Sequence, residues 1–198
     1  NKETLAAGKI NLYFDITGKR SDGYHTVDTV MQSIDMADQI RAQMMTEAAC
    51  IRQFNDEKKT LAPAADLGPA LAMSIEFSWL SKSGTWLSEA EVRGNTCYKA
   101  AKLFWLHAVG EEGMAVGPKQ RLLLRINKRI PAEAGLGGGS ADAAALLDML
   151  WNVYGKPFPY DDLWELAAAT GADVPFCLHG GTRYCQGIGE EMSYLPSL

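Results

Sequence analysis

Apolar residues fall on every second position at Ile10, Leu12, Phe14 and Ile16, which predicts a half-buried β-strand with Lys9, Asn11, Tyr13 and Asp15 on its opposite face. The same period returns in the segment 121–130, where Leu122, Leu124 and Ile126 share one face of a second strand. From Ser140 to Tyr154 the pattern changes to an alanine- and leucine-rich helical run, stopped by Gly155. Helical patterns also cover Tyr98 to Val109 and Asp161 to Thr170, the latter followed by Gly171 as the expected left-handed residue after a helix. Strands to about residue 54 and again from residue 176 onward complete an α+β order. Residues 56–92 interrupt it with a loop signature, Ala62-Pro-Ala-Ala-Asp-Leu-Gly-Pro69, then the apolar run Leu71 to Leu80 and Trp86. An extra surface hairpin is the expectation there.

Composition narrows the class without naming a chemistry. A chain of 198 residues supports one or two domains. Hydrophobic content is 47%, yet no apolar run approaches the ~20 residues that cross a bilayer. The first residues, Asn1-Lys-Glu-Thr, lack the apolar core of a secretion signal, so no membrane partner and a cytoplasmic location are expected. A net charge of −5 argues against a nucleic-acid partner bound by bulk electrostatics. Cys50, Cys97, Cys177 and Cys185 are widely spaced, as suits reduced thiols. Cys177, His179 and Cys185 read as strand residues alternating around the Gly180-Gly181 turn, and no metal site is assigned to them.

Chemistry enters between the strand 121–130 and the helix that follows. Pro131-Ala-Glu-Ala-Gly135-Leu136-Gly137-Gly138-Gly139-Ser140 places four glycines in five residues at that junction, with Ser140 as the expected cap and Asp142 after it. A turn needing positive φ would be satisfied by one or two glycines. Strand, glycine loop and helix in this order make an anion site, because the backbone can approach a phosphate and the first helical N–H groups point at it. A Walker loop would end in Gly-Lys-Ser/Thr, and no lysine follows Gly139. A dinucleotide fingerprint needs a third glycine where Ser140 stands and a carboxylate on a following strand, where a helical pattern appears instead.

Pro-x-x-x-Gly-Leu-Gly followed by small residues resembles the GHMP kinase family, named for galactokinase, homoserine kinase, mevalonate kinase and phosphomevalonate kinase. Four further segments strengthen the resemblance: Gly8-Lys9-Ile10-Asn11-Leu12, Ser21-Asp22-Gly23-Tyr24-His25, Gly171-Ala172-Asp173-Val174-Pro175 and Gly187-Ile188-Gly189-Glu190. Together they resemble the branch of the family that phosphorylates a cytidine-diphosphate-linked alcohol of the non-mevalonate isoprenoid pathway.

The resemblance implies a fold, a GHMP kinase N-terminal ATP-binding domain over 1–175, and the start of a shortened C-terminal substrate domain over 176–198. It implies ATP and Mg²⁺ as cofactors. It also implies Asp173 as general base, with Lys9 beside it. Pro131, Gly135, Leu136, Gly137, Gly138, Gly139 and Ser140 would hold the triphosphate, and Asn95 would lie near the adenine. Asn11 would stand by the substrate, Tyr24 would stack on cytosine, and His25 would read the base. The family continues well beyond the point matching Leu198, and 56–92 is longer than the family needs between its early strands and the helix opened by Asn95, an expected insertion. Three functions therefore stay open: this kinase, a GHMP kinase for another small alcohol, and a non-catalytic nucleotide-binding unit.

Overall fold

The computed structural model describes residues 2–19, 21, 23, 25–46, 48–49, 70–77, 85–86, 89–116, 120–189 and 191–196. Tyr24 and Glu190, both singled out by the sequence, lie outside them, as does Cys50.

The longest strand organises the sheet. Strand β1 (Lys2–Lys19) runs antiparallel to β2 (His25–Thr46) along nearly its whole length. The other edge of β2 is shared: β6 (Thr182–Gln186) pairs with Thr29–Gln32, and β5 (Gln120–Lys128) pairs with Gln39–Thr46. β3 (Ala70–Phe77) lies parallel to β5 and is followed by the short antiparallel β4 (Thr85–Trp86), while β7 (Glu191–Leu195) pairs with β6. The resulting order is β4-β3-β5-β2-β6-β7, with β1 joined to β2. The described residues within 56–92 thus form a hairpin, as expected, but its first strand is a full member of the sheet and not a surface addition. Strands β6 and β7, within the segment assigned to the start of a C-terminal domain, are hydrogen-bonded into this same sheet.

Helices α1 (Glu89–Gly94), α2 (Thr96–Val116), α3 (Gly138–Val153), α4 (Tyr160–Thr170) and α5 (Val174–His179) supply the other layer. Leu122, Leu124 and Ile126 of β5 share one core with Ile40 of β2, Phe104 of α2, Leu146 and Leu147 of α3, and Leu163 of α4. Each such buried side chain stabilises by ~1.5–3 kcal/mol. α3 lies at the centre of this layer and touches β1, β2, α2, α4 and α5. Among the described residues no helix is long and apolar enough to cross a membrane.

Local expectations failed in four places, each for a physical reason. In β1, Leu12, Phe14 and Ile16 are exposed whereas Lys9 is buried, the reverse of the alternation argument. The ladder slips between Asn11 and Tyr13, so Leu12 is an extra residue, and beyond it both faces of the strand are exposed, Tyr13 and Asp15 as well as Phe14 and Ile16. Residues 174–179 form α5, not a strand: Pro175 sits in the first turn of that helix, where its missing N–H costs nothing. Cys177 and His179 are therefore helical, and only Cys185 is on a strand. Gly171 does end α4, but in extended backbone (φ −179°) that any residue adopts. Ser140 is the third residue of α3; the cap position belongs to Gly137, left-handed at φ 66°.

Candidate functional site

Four segments distant in sequence converge at the N-terminus of α3. The first is the glycine loop. Glu133, Gly135 and Gly137 all have positive φ, and residues 131–135 face solvent. Gly137 combines its left-handed backbone with close contact: a Cβ there would lie 3.0 Å from Cγ of Lys9. A Cβ on Gly138 would lie 3.0 Å from Cγ2 of Ile130 and 3.3 Å from Nζ of Lys128. These two glycines let the loop seat on β1 and β5, while the first turn of α3 opens outward with Gly139 exposed. Donors at a helix start, in a cradle with no room for side chains, suit an anion.

β1 is the second segment, and it is tied directly to the loop. The Lys9 amide donates to the Leu136 carbonyl at 2.9 Å. A Cβ on Gly8 would come within 3.1 Å of that same carbonyl oxygen, which explains a glycine at that position. The Lys9 stem passes Gly137, and its ammonium reaches Oδ1 of Asn11 at 2.7 Å and Oδ2 of Asp173 at 3.3 Å. Lys9 is nearly buried, while the Asp173 side chain keeps about a third of its surface (36%) open to a ligand.

The corner after α4 is the third segment. Asp173 occupies the cap position of α5 but makes no side-chain cap hydrogen bond, so its carboxylate stays available to Lys9 and to solvent. β2 provides the fourth segment through Thr29: the Asn11 amide nitrogen donates to Thr29 Oγ1 at 2.7 Å, and Thr29 Oγ1 donates to the Tyr13 carbonyl at 2.7 Å.

Beneath the loop lies a buried charge cluster that sequence reasoning missed. Asp38 accepts from the amides of Arg129 and Ile130 at 2.5 and 2.9 Å, and from Lys128 Nζ. Lys128 Nζ also donates to Asp142 Oδ2 at 2.7 Å, leaving Asp142 Oδ1 buried without a partner. Burial pushes the Asp142 carboxyl up to about 7, with Lys128 opposing and Asp38 adding to the rise. For Lys128, burial alone would act downward, but Asp142 and Asp38 outweigh it and raise the ammonium above its ordinary value. The cluster fixes the end of β5 and the first turn of α3 to β2. Asp142, noted after the glycine loop, was its one visible member; Asp38 stands among Asp35, Gln39 and Arg41 and carries no signal of its own.

The other expected site residues divide into two groups. Asn95 caps α2, its Oδ1 accepting from the Cys97 amide at 2.9 Å. That helix start adjoins the loop, since a Cβ on Gly139 would be 3.6 Å from Thr96 Oγ1. His25, in contrast, pairs with Lys19 at the far end of the β1–β2 ladder, eight residues along β2 from the partner of Lys9. At strand rise that is ~25 Å along the chain, so the structure does not bring His25 to Lys9 and Asp173.

Residues 95–181, which span the loop and Asp173, match the GHMP kinases N terminal domain. The match places a GHMP kinase N-terminal domain over those residues. Among its relatives, 4-diphosphocytidyl-2-C-methyl-D-erythritol kinase of Desulfitobacterium hafniense (strain Y51) is 38% identical over 98% of this chain and 52% of its own length. The enzyme of the same name from Clostridium acetobutylicum is 33% identical over 98% of this chain and 55% of its own. The chain thus spans about half the length of the curated relatives it matches. A crystal structure of 4-(cytidine 5'-diphospho)-2C-methyl-D-erythritol kinase superposes with a TM-score of 0.62 at 30% identity, covering 98% of this chain and 55% of that one. A mevalonate kinase superposes at 0.58 with 14% identity, a likeness of fold alone. The GHMP kinase N-terminal fold accordingly accounts for the mixed sheet and for the helix layer on it.

Proposed function

We propose that this GHMP kinase chain takes part in ATP-dependent phosphorylation of a hydroxyl of 4-diphosphocytidyl-2-C-methyl-D-erythritol in the non-mevalonate isoprenoid pathway. The observation that carries the reading is the Lys9–Asp173 pair at 3.3 Å, built on a strand whose backbone is bonded to the glycine loop. Phosphoryl transfer asks mainly for alignment and charge neutralisation, which a carboxylate and an ammonium next to a glycine loop would supply.

Residues 135–140 and the first turn of α3 would hold the triphosphate, with Pro131 shaping the entry and Asn95 on the adenine side. The fit rests on Gly137 and Gly138, where a Cβ would press on Lys9 and Ile130 and lift the loop from its seat. Bound ATP with Mg²⁺ supplies the transferable phosphoryl group. Asp173 accepts the proton of the acceptor hydroxyl through its open carboxylate, and Lys9 stabilises both that carboxylate and the developing alkoxide. Asn11 orients the alcohol. Tyr24 stacks on cytosine and His25 reads its edge. In this reading residues 1–175 form the ATP-binding unit, and residues 176–198, attached through β6, lead toward the substrate domain.

The test is ADP release with 4-diphosphocytidyl-2-C-methyl-D-erythritol, mevalonate and homoserine offered separately as acceptors. Turnover with the cytidine-bearing acceptor alone is expected; turnover with another alcohol alone would move the chain to a different branch of the family. Asp173→Asn should lower transfer by ~10²–10⁴-fold with both substrates still bound, the contribution of a positioned base. Wild-type turnover in that variant would remove the general-base role.

A further inference from the structure

We infer that Thr29 is a positioning residue for phosphoryl transfer, setting the direction of a hydrogen-bond relay that ends on the Lys9 ammonium. The inference rests on the proposed roles of Lys9 and Asp173.

Direction follows from proton counting. Thr29 Oγ1 and the Tyr13 carbonyl oxygen are 2.7 Å apart. A carbonyl has no proton to give, so the hydroxyl proton of Thr29 is committed to that bond. Toward Asn11, Thr29 can then only accept, which turns the amide NH₂ of Asn11 to Thr29 at 2.7 Å. The amide oxygen must therefore face the other way, where Lys9 Nζ donates to it at 2.7 Å. An ammonium has donors only. Every group in the relay has one allowed orientation, which the donor-only ammonium at one end and the carbonyl at the other both require.

The geometry depends on the irregularity in β1. Because Leu12 is the extra residue, the ladder pairs Asn11 with Met31 but Phe14 with Thr29. Thr29 is thereby within reach of both the Asn11 side chain and the Tyr13 carbonyl. It is 2% exposed, too buried to touch a ligand itself. Its effect on the reaction passes through Asn11 to Lys9, which lies 3.3 Å from Asp173. Without the hydroxyl, the Asn11 NH₂ loses its acceptor, the amide is held only by Lys9, and the anchor that keeps the ammonium beside Asp173 loosens.

Thr29→Val keeps the shape and removes the relay; Thr29→Ser keeps the hydroxyl. In the full-length enzyme Thr29→Val is expected to lower kcat by ~10–100-fold, the scale on which a misplacement of about 1 Å acts, with KM for ATP unchanged. Thr29→Ser should restore kcat to within a few fold. The Lys9 side-chain ammonium, observed by ¹⁵N NMR and assigned through Lys9→Arg, should exchange faster with water in Thr29→Val and remain protected in Thr29→Ser. Unchanged kcat and unchanged ammonium exchange in a folded Thr29→Val protein would overturn the inference. So would equal losses in both variants, which indicate packing. A wild-type enzyme inactive on every acceptor would defeat the kinase reading, while the ammonium measurement would still decide the relay.

Discussion

Gly137 is the residue where loop and site constrain each other most tightly. Its left-handed φ disfavours any side chain, and the Lys9 stem occupies the space a Cβ would need. Gly137→Val should therefore move the loop and the lysine together. ATP affinity measured by calorimetry is expected to fall ~10-fold or more, the factor that ~1.4 kcal/mol carries, and transfer should fall further because Lys9 is displaced. Unaltered ATP affinity in a folded variant would detach the loop from the nucleotide. At this scale the site was partly legible. The glycine loop stood out by its composition, whereas Lys9, Asn11 and Asp173 came into view only through the family resemblance. Thr29 did not, because a threonine in a strand is ordinary and its role depends on a ladder slip that no local pattern announces.

At the level of elements, the Asp38–Lys128–Asp142 cluster joins β2, β5 and α3 under the loop. Removing one partner of a buried pair strands the others, so Asp38→Ala should destabilise by ~3–5 kcal/mol in chemical denaturation, with two loop amides also losing their acceptor. Asp142 behaves differently. Its carboxyl lies at about 7, above the 3.8 of an ordinary aspartate, so the folded chain holds that proton more firmly than the unfolded one. The linked stabilisation is complete below about pH 4 and lost as the pH rises through about 7. Asp142→Asn has no such proton to lose. Its melting temperature relative to wild type should improve by a few degrees from roughly pH 5 to roughly pH 8; a constant difference would mean that Asp142 does not titrate there. Helices α2, α3 and α4 were readable from period and punctuation. α5 was not, since six residues carry too little periodicity and Pro175 reads equally as a break or as a first turn.

Across the whole molecule the mixed class was legible but the sheet order was not. The parallel placement of β3 beside β5 is decided by long-range pairing, of which the sequence of 56–92 bears no mark. Base recognition also belongs to this scale. Tyr24→Ala should weaken the cytidine-bearing substrate by ~1–3 kcal/mol, the range for an aromatic stacked on a base, while ATP binding stays nearly intact. Equal losses for both ligands in titration calorimetry would make Tyr24 a structural residue. The bond from the Lys9 amide to the Leu136 carbonyl has a consequence for how such a chain tolerates change. One residue grips the glycine loop by its backbone and Asp173 by its side chain, so the spacing between the two halves of the chemistry is measured by a single lysine. A gauge that short accumulates little error. Insertions, drift in sheet twist and repacking of distant helices can alter the body of the protein while that spacing holds.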